Sequence, residues 1–383
     1  MPQLLVNKTM SRNGGTLICQ LLESHNELFF PPFVVDLAIK APKCWPLSGF
    51  TTIGQEDFRR KMIDKVSFWD GSSWFEARNL PVSQDRRIDR ELLAAAIQFD
   101  AITEDHVRPG NLEEAFLTFM RILVEAYGDE ASQALKQSNY FIIDADHSFN
   151  CGVAEASRNF SEIRFLQVIR NVYDVMASRK NMLIHHSGLF GDPRNFTLKD
   201  EVVRGEVSRW LLSVLSSVRD QEIAPDQCVT IQFESLHRNR EAVMRQLAEF
   251  LDIEFTSSLL VEGRSEVATI VNKDSQFVSS SSLLRVTQGG SATVIGSSLE
   301  TLNEAETEVL AEVLNGVPHE WPDAVDVPQF QDFLKEFVLS HGEAIRNNPL
   351  IQKVDLAPTA EEKMNLYSEL NFGRANVNRA FVS

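Results

Sequence analysis

The 383-residue chain is poor in cysteine, in basic charge and in long apolar runs. Its four cysteines, Cys19, Cys44, Cys151 and Cys228, form no CxxC pair and no Cys/His cluster. That excludes a disulfide framework and a zinc site of ordinary spacing, and it suits reduced thiols in a cytoplasm. Lys and Arg number 37 against 54 Asp and Glu, a net charge of −17. A nucleic-acid binder neutralises phosphates with clustered cations, so nucleic acid is not an expected partner. The same balance disfavours docking on anionic membranes. No window reaches the ~18 apolar residues of a membrane span. Lys8 and Arg12 interrupt the early apolar run, so no signal peptide is read. The expectation is a cytoplasmic protein, monomer or homodimer, with no membrane partner and no metal.

What is present is the composition of a folded domain, 43% hydrophobic and 24% charged, at a length that can bury a sizeable core. Residues 3–7 (QLLVN) read as a strand and Ser11-Arg12-Asn13-Gly14-Gly15-Thr16 as a tight turn. Leu17, Leu21 and Leu22 then continue at helical spacing to about His25. Residues 29–110 carry six prolines together with Trp45, Trp69 and Trp74, and read as an irregular or helical insertion. Residues 111–137 predict one amphipathic helix. The apolar runs at 140–143, 163–169 and 228–233 look like buried parallel strands. Helical stretches at 172–180, 201–219 and 239–251 alternate with them. This order predicts an α/β fold, a three-layer parallel sheet flanked by helices with right-handed crossovers. The Ser- and Gly-rich stretch 278–298 predicts a loop, and the tail from Glu304 is helical with a break near 317–328. The expected organisation is one domain over 1–383, with an inserted acceptor-binding or cap region at 29–135 and a helical tail at 304–383.

A loop between a strand and a helix N-terminus offers free backbone N–H groups and the positive end of the helix dipole, both of which favour phosphate. Gly14 and Gly15 let the backbone approach an anion. Arg12 adds positive charge, and Ser11 and Thr16 add hydroxyl donors. The GxxxxGK[ST] pattern is absent, so this is not a Walker A loop. An ordinary Gly-containing turn has the same composition. A second feature is Arg170 at a strand end with Ser178 two turns into the next helix, which can meet one phosphate from two sides; a helix-capping Arg and a surface Ser fit equally.

Together these segments resemble the sulfotransferases that use 3′-phosphoadenylyl sulfate. The run from Thr9 to Thr16 stands in register with that family's T-x-P-K/R-S-G-T-T loop for the 5′-phosphosulfate. The run from Arg170 through Asn171 and Asp174 to Ser178 matches its R-N-P-x-D-x-x-x-S motif for the 3′-phosphate, apart from the Pro. Gln232-Phe233-Glu234-Ser235-Leu236 resembles its Y-E-D-L segment. The resemblance covers about residues 3–27 and 140–310, and it implies a P-loop-like sulfotransferase fold. It departs at Gly15, where the family has a hydroxyl residue, and at Leu17, where many members stack a Trp on adenine. Phe233 replaces a Tyr, and the C-terminal R-K-G motif has only Arg285 with Gly296 as its nearest candidate.

The resemblance implies a donor site of Ser11, Arg12, Asn13, Gly14, Gly15, Thr16, Leu17, Arg170, Ser178, Phe233 and Arg285. It also implies a sulfuryl transfer to a hydroxyl or amine of a small-molecule acceptor, with no metal. Such a transfer needs a general base for the acceptor's proton and a cation for the leaving oxygen. Arg12 is the expected cation. His147, 23 residues before Arg170, stands where cytosolic members carry a catalytic His. Glu23, Glu27 and Asp36 are competing bases. Two other readings stay open: a non-catalytic donor-binding relative, and a P-loop kinase-like phosphotransferase, which the missing Walker lysine disfavours. The acidic balance leaves room for a cationic acceptor.

Overall fold

The computed structural model describes residues 2–10, 12–23, 25–29, 112–127, 129–144, 153, 156–157, 160, 162–187, 189, 191–261, 295–296, 298–314, 321–356 and 380–382. The region 30–111, most of the predicted insertion, lies outside the described residues, as does most of the predicted loop at 278–298.

Among the described residues five strands form one parallel sheet: β1 (Gln3–Asn7), β2 (Leu28–Phe29), β3 (Tyr140–Asp144), β4 (Ile163–Ile169) and β5 (Cys228–Gln232). Their spatial order is β2-β3-β1-β4-β5, with β1 in the centre. In register, Leu5 faces both Ile142 and Arg164, and Phe165 faces Cys228. Both faces are covered, which is why β1, β3, β4 and β5 read as continuous apolar runs rather than alternating ones. On one face lie α1 (Gly15–Glu23) and two later helices. Their Leu17, Ile18, Leu21 and Leu22 pack with Leu236, Val243, Met244 and Leu247 into one buried cluster.

Among the described residues the helices continue as α2 (Leu112–Tyr127), α3 (Asp129–Gln137), α4 (Val172–His186), α5 (Asp200–Ile223), α6 (Phe233–Arg238) and α7 (Arg240–Leu251). They end with α8 (Ser298–Thr301), α9 (Glu304–Leu314), α10 (Val327–Arg346) and α11 (Pro349–Leu356). On the second face α4, α5, α9, α10 and α11 bury a larger cluster around Trp210, Leu211, Leu310, Phe330 and Leu334. Charge is enclosed there as well. Lys180 meets Glu306 at 2.6 Å, and Glu206 sits between Arg179 at 2.9 Å and Arg209 at 3.1 Å. Lys8, buried at the end of β1, pairs with Asp220 of α5. Removing one member of such a pair strands a buried charge, so these contacts hold the helices in one arrangement.

The sequence reading differs from the structure in a few places. In the stretch 111–137 the structure describes two helices, α2 and α3, where the sequence predicts one. Phe29, read as the start of the insertion, belongs to the two-residue edge strand β2. Phe233, read as the last residue of a strand, opens α6 instead. Both α4 and α5 run several residues further than periodicity suggested.

Candidate functional site

The site is built where β1 and β4 end. Beyond β1 the chain no longer makes strand pairs, yet its side chains keep the edge of β4 satisfied. Thr9 Oγ1 accepts from the Val168 N–H at 2.9 Å, and Asn13 Oδ1 accepts from the Arg170 N–H at 2.9 Å. Asn7 Oδ1 in turn accepts from Thr9 Oγ1 at 2.6 Å. The Asn13 N–H bonds the Met10 carbonyl at 3.1 Å, which closes the turn. The loop is therefore fixed by β4 before any ligand arrives.

Two residues of this loop have left-handed backbone, Arg12 at φ 73° and Gly14 at φ 105°. For an arginine that conformation is strained, and strain of this kind concentrates at functional sites. At Gly14 a Cβ would fall 2.3 Å from Cδ2 of Phe233, so no other residue fits over that ring. At Gly15 it would lie 3.2 Å from Cβ of Thr9. A side chain there would need Thr9 to shift by a few tenths of an ångström, which favours glycine where the family has a hydroxyl residue.

The predicted residues converge here. Arg12 donates from Nε to the Ser178 hydroxyl at 2.9 Å and from Nη2 to the Ser178 carbonyl at 3.4 Å. This ties the loop to α4 across 166 residues of chain. Arg170 is buried, with its guanidinium 4.5 Å from the centre of the Phe233 ring. Its Nη2 lies 3.8 Å from Asp174 Oδ2. Burial lowers the Arg170 pKa, and Asp174 and Glu234 oppose that shift. Asn13 is fully buried, and its Nδ2 has no hydrogen-bond partner. A buried amide donor left unpaired costs about 1–3 kcal/mol, and an anion in the loop would remove that cost.

Phe233 and Leu17 are both almost completely buried and belong to the core beneath the loop. They support it from below. Thr16 lies in the first turn of α1. Ser11, His147, Arg285 and Asp36 lie outside the described residues. Of the competing bases, Glu23 ends α1, about 12 Å along the helix from Gly15. Glu27 precedes β2, where it accepts from Asn139 Nδ2 and, at 3.1 Å, from the Glu254 N–H. Both stand toward the opposite edge of the sheet from the loop.

Three features were invisible to sequence reading. Asp174 accepts from the Gly296 N–H at 2.8 Å and the Ser298 N–H at 3.1 Å, which anchors the start of the late helical region beside Arg170. Trp210 of α5 donates from Nε1 to the Arg170 carbonyl at 2.8 Å. Glu234 is deeply buried; it accepts from the Asn171 N–H at 3.0 Å and from Trp321 Nε1 at 3.0 Å. Burial pushes the Glu234 pKa up, against these two donors, its own backbone N–H and Arg170. Asp174 and Glu234 lie inside motifs that the sequence displayed, but their partners are remote in the chain. Among the described residues no group of three or more His, Cys, Asp or Glu could hold a metal, and no helix is long and apolar enough to cross a membrane.

Several solved structures are similar to this chain. A sulfotransferase domain from the olefin synthase of Synechococcus PCC 7002 is 15% identical, with 84% of this chain and 96% of that one covered at a TM-score of 0.40. A sulfotransferase domain from the curacin biosynthetic pathway is 14% identical, with 88% and 98% covered at 0.41. A sulfotransferase from Mycobacterium avium is 16% identical, with 84% and 78% covered at 0.36. Among curated proteins none matches the chain. The model of the sulfotransferase family matches residues 9–257, from the first residue of the loop to just past α7, and so takes in Arg12, Asn13, Arg170, Ser178 and Glu234. The chain belongs to the sulfotransferase family.

Proposed function

We propose that the protein moves a sulfuryl group from 3′-phosphoadenylyl sulfate to a hydroxyl or amine of a small-molecule acceptor. The observation that carries this reading is the Arg12–Ser178 hydrogen bond, which joins the loop after β1 to the helix after β4 beside Arg170. In this reading the two elements each meet one end of a donor with phosphates on both the 5′ and 3′ positions. The unpaired Nδ2 of Asn13 fits the same ligand.

In this reading the loop from Ser11 to Thr16 and the opening N–H groups of α1 hold the 5′ end. Arg170 and Ser178 hold the 3′-phosphate, helped by Arg285, while Leu17 and Phe233 shape the floor. When bound, the donor supplies an activated sulfur–oxygen bond. Arg12 neutralises the charge that gathers on the leaving side. His147 takes the proton from the acceptor. The net charge of −17 favours a cationic acceptor.

The test is calorimetric titration with adenosine 3′,5′-bisphosphate, followed by assay of labelled donor against a panel of cationic and neutral alcohols and amines. Binding with transfer supports the proposal. Binding without transfer to any acceptor points to a non-catalytic relative, and no binding removes the donor assignment. His147→Ala should lower turnover by about 10²- to 10⁴-fold and leave bisphosphate affinity as it was.

A further inference from the structure

The segment between α9 and α10 lies beyond the residues that match the family model, yet it is fastened to the donor side of the sheet. Gln232 Nε2 donates to the Pro322 carbonyl at 2.7 Å, and Gln232 Oε1 accepts from the Val325 N–H at 3.0 Å. The Ser235 hydroxyl donates to the Val325 carbonyl at 2.7 Å. Asn239 Nδ2 donates to the Ala324 carbonyl at 3.1 Å, and Arg238 pairs with Asp323. Residues 321–326 are thus a strap sewn along the end of β5 and the length of α6.

At the head of the strap, Trp321 reaches the Arg170 turn by two routes. Its Nε1–H bonds Glu234, which holds the Asn171 N–H and acts electrostatically on Arg170. Its ring packs 5.6 Å from that of Trp210, whose own Nε1 holds the Arg170 carbonyl. Phe330 and Phe333 of α10 close edge-on around Trp321 at 5.6 and 5.4 Å. One side chain therefore bears on the backbone and on the charge environment of the same arginine.

We propose that Trp321 is a positioning residue for the donor, acting through Glu234 on Arg170 and Asn171, and that the 321–326 strap sets donor affinity from outside the segment that matches the family. This rests on the donor assignment proposed above. If Trp321 only filled space, an isosteric aromatic would serve as well. If it positions Glu234, the N–H is what matters.

Among the described residues the titratable and charged groups around Glu234 are few. Arg170 faces it from the end of β4, with Asp174 of α4 behind. His237, one turn on in α6, has its pKa lowered to about 4 and is neutral near pH 7. The neutral donors are the Asn171 N–H, the Glu234 N–H and Trp321. Loss of the Trp321 N–H removes one of the groups that favour the carboxylate, so Glu234 takes up a proton at a higher pH.

The experiment uses the full chain and adenosine 3′,5′-bisphosphate, with titrations from pH 5 to 8 on wild type, Trp321→Phe, Glu234→Gln and the double variant. Trp321→Phe should weaken binding at pH 7.5 about tenfold, the scale on which a lost supporting hydrogen bond loosens a site. The inflection of its affinity profile should move to higher pH. In the Glu234→Gln background the Trp321→Phe change should add less than about twofold and move no inflection. Thermal melting of each variant confirms that it is folded at the titration temperature. A folded Trp321→Phe with wild-type affinity and profile overturns the inference, as does a full tenfold effect that persists with Glu234→Gln. A wild-type chain that binds no bisphosphate at any pH fails the donor assignment instead.

Discussion

The two edges of the sheet present opposite chemistry. At the carboxyl edge stand Arg12, Asn13, Arg170 and Ser178, a left-handed arginine and a buried amide with an unpaired donor. At the amino edge is a cavity of about 530 Å³ between the sheet and α2–α3, lined by Gln3, Tyr140, Arg164, Leu117 and Met120 among others. There Tyr140 donates its hydroxyl to the Leu251 carbonyl at 2.8 Å, and Arg164 lies 5.2 Å from the centre of the Phe250 ring. The left-handed residue that lines this cavity, Asp252 at φ 54°, is the C-cap of α7, a place where that conformation is common. The other edge combines strain, a glycine cradle and converging cations. In open parallel sheets ligands bind beyond the carboxyl ends of the strands, and here the glycine cradle and the converging cations stand at that edge.

The contrast can be broken in several ways, beginning with the largest effect. Gly14→Ala should cost about 4 kcal/mol of stability, since left-handed strain adds to overlap with Phe233. Denaturant unfolding measures it, and a loss under about 1 kcal/mol would mean that Phe233 yields easily and the cradle is soft. A second prediction concerns pH. His237 has neither ring nitrogen bonded, and its pKa falls from 6.5 to about 4 through burial first and then Arg240 and Arg170. The folded state binds fewer protons than the unfolded one in that window. Stability is therefore complete above pH 6.5 and falls as the pH drops to 4, by about 3 kcal/mol in all. His237→Gln should flatten that slope, so equal slopes for the two proteins would count against it.

Arg170→Ala should weaken adenosine 3′,5′-bisphosphate binding by about 2 kcal/mol, the size of a lost hydrogen bond to a charged group. An unchanged dissociation constant in calorimetry would detach Arg170 from the donor. At the amino edge, Tyr140→Phe should cost only about 1 kcal/mol of stability and leave bisphosphate affinity unaltered. A matching loss of affinity there would erase the distinction between the edges.

The legible parts of the molecule were those with local signals. β1, its loop and α1 follow from an apolar run, adjacent glycines and leucines at helical spacing. Arg170 at the end of β4 and Ser178 on α4 stand out through their fixed separation. What stayed hidden depends on contacts between remote segments. β2 has two residues and forms only because β3 offers Tyr140 and Phe141 as partners. The strap at 321–326 has no periodicity, and its partners on β5 and α6 lie roughly 90 residues earlier. Asp174 carries no sign in the sequence that it will hold Gly296. Glu234 was visible as a motif residue, while its burial and its bond to Trp321 follow from the packing of α10 against β5.

The central place of β1 has a consequence for how the chain reaches this state. Among the described residues β1 pairs with strands that begin near residues 140 and 163. During synthesis β1 and the loop after it emerge before either neighbour. Every partner of β1 in the sheet must close a long stretch of chain, a topology that slows folding and leaves an apolar strand waiting. The loop cannot take up its bonds to Val168 and Arg170 until β4 has been made. Donor-binding competence should therefore appear late, in one step with the centre of the sheet.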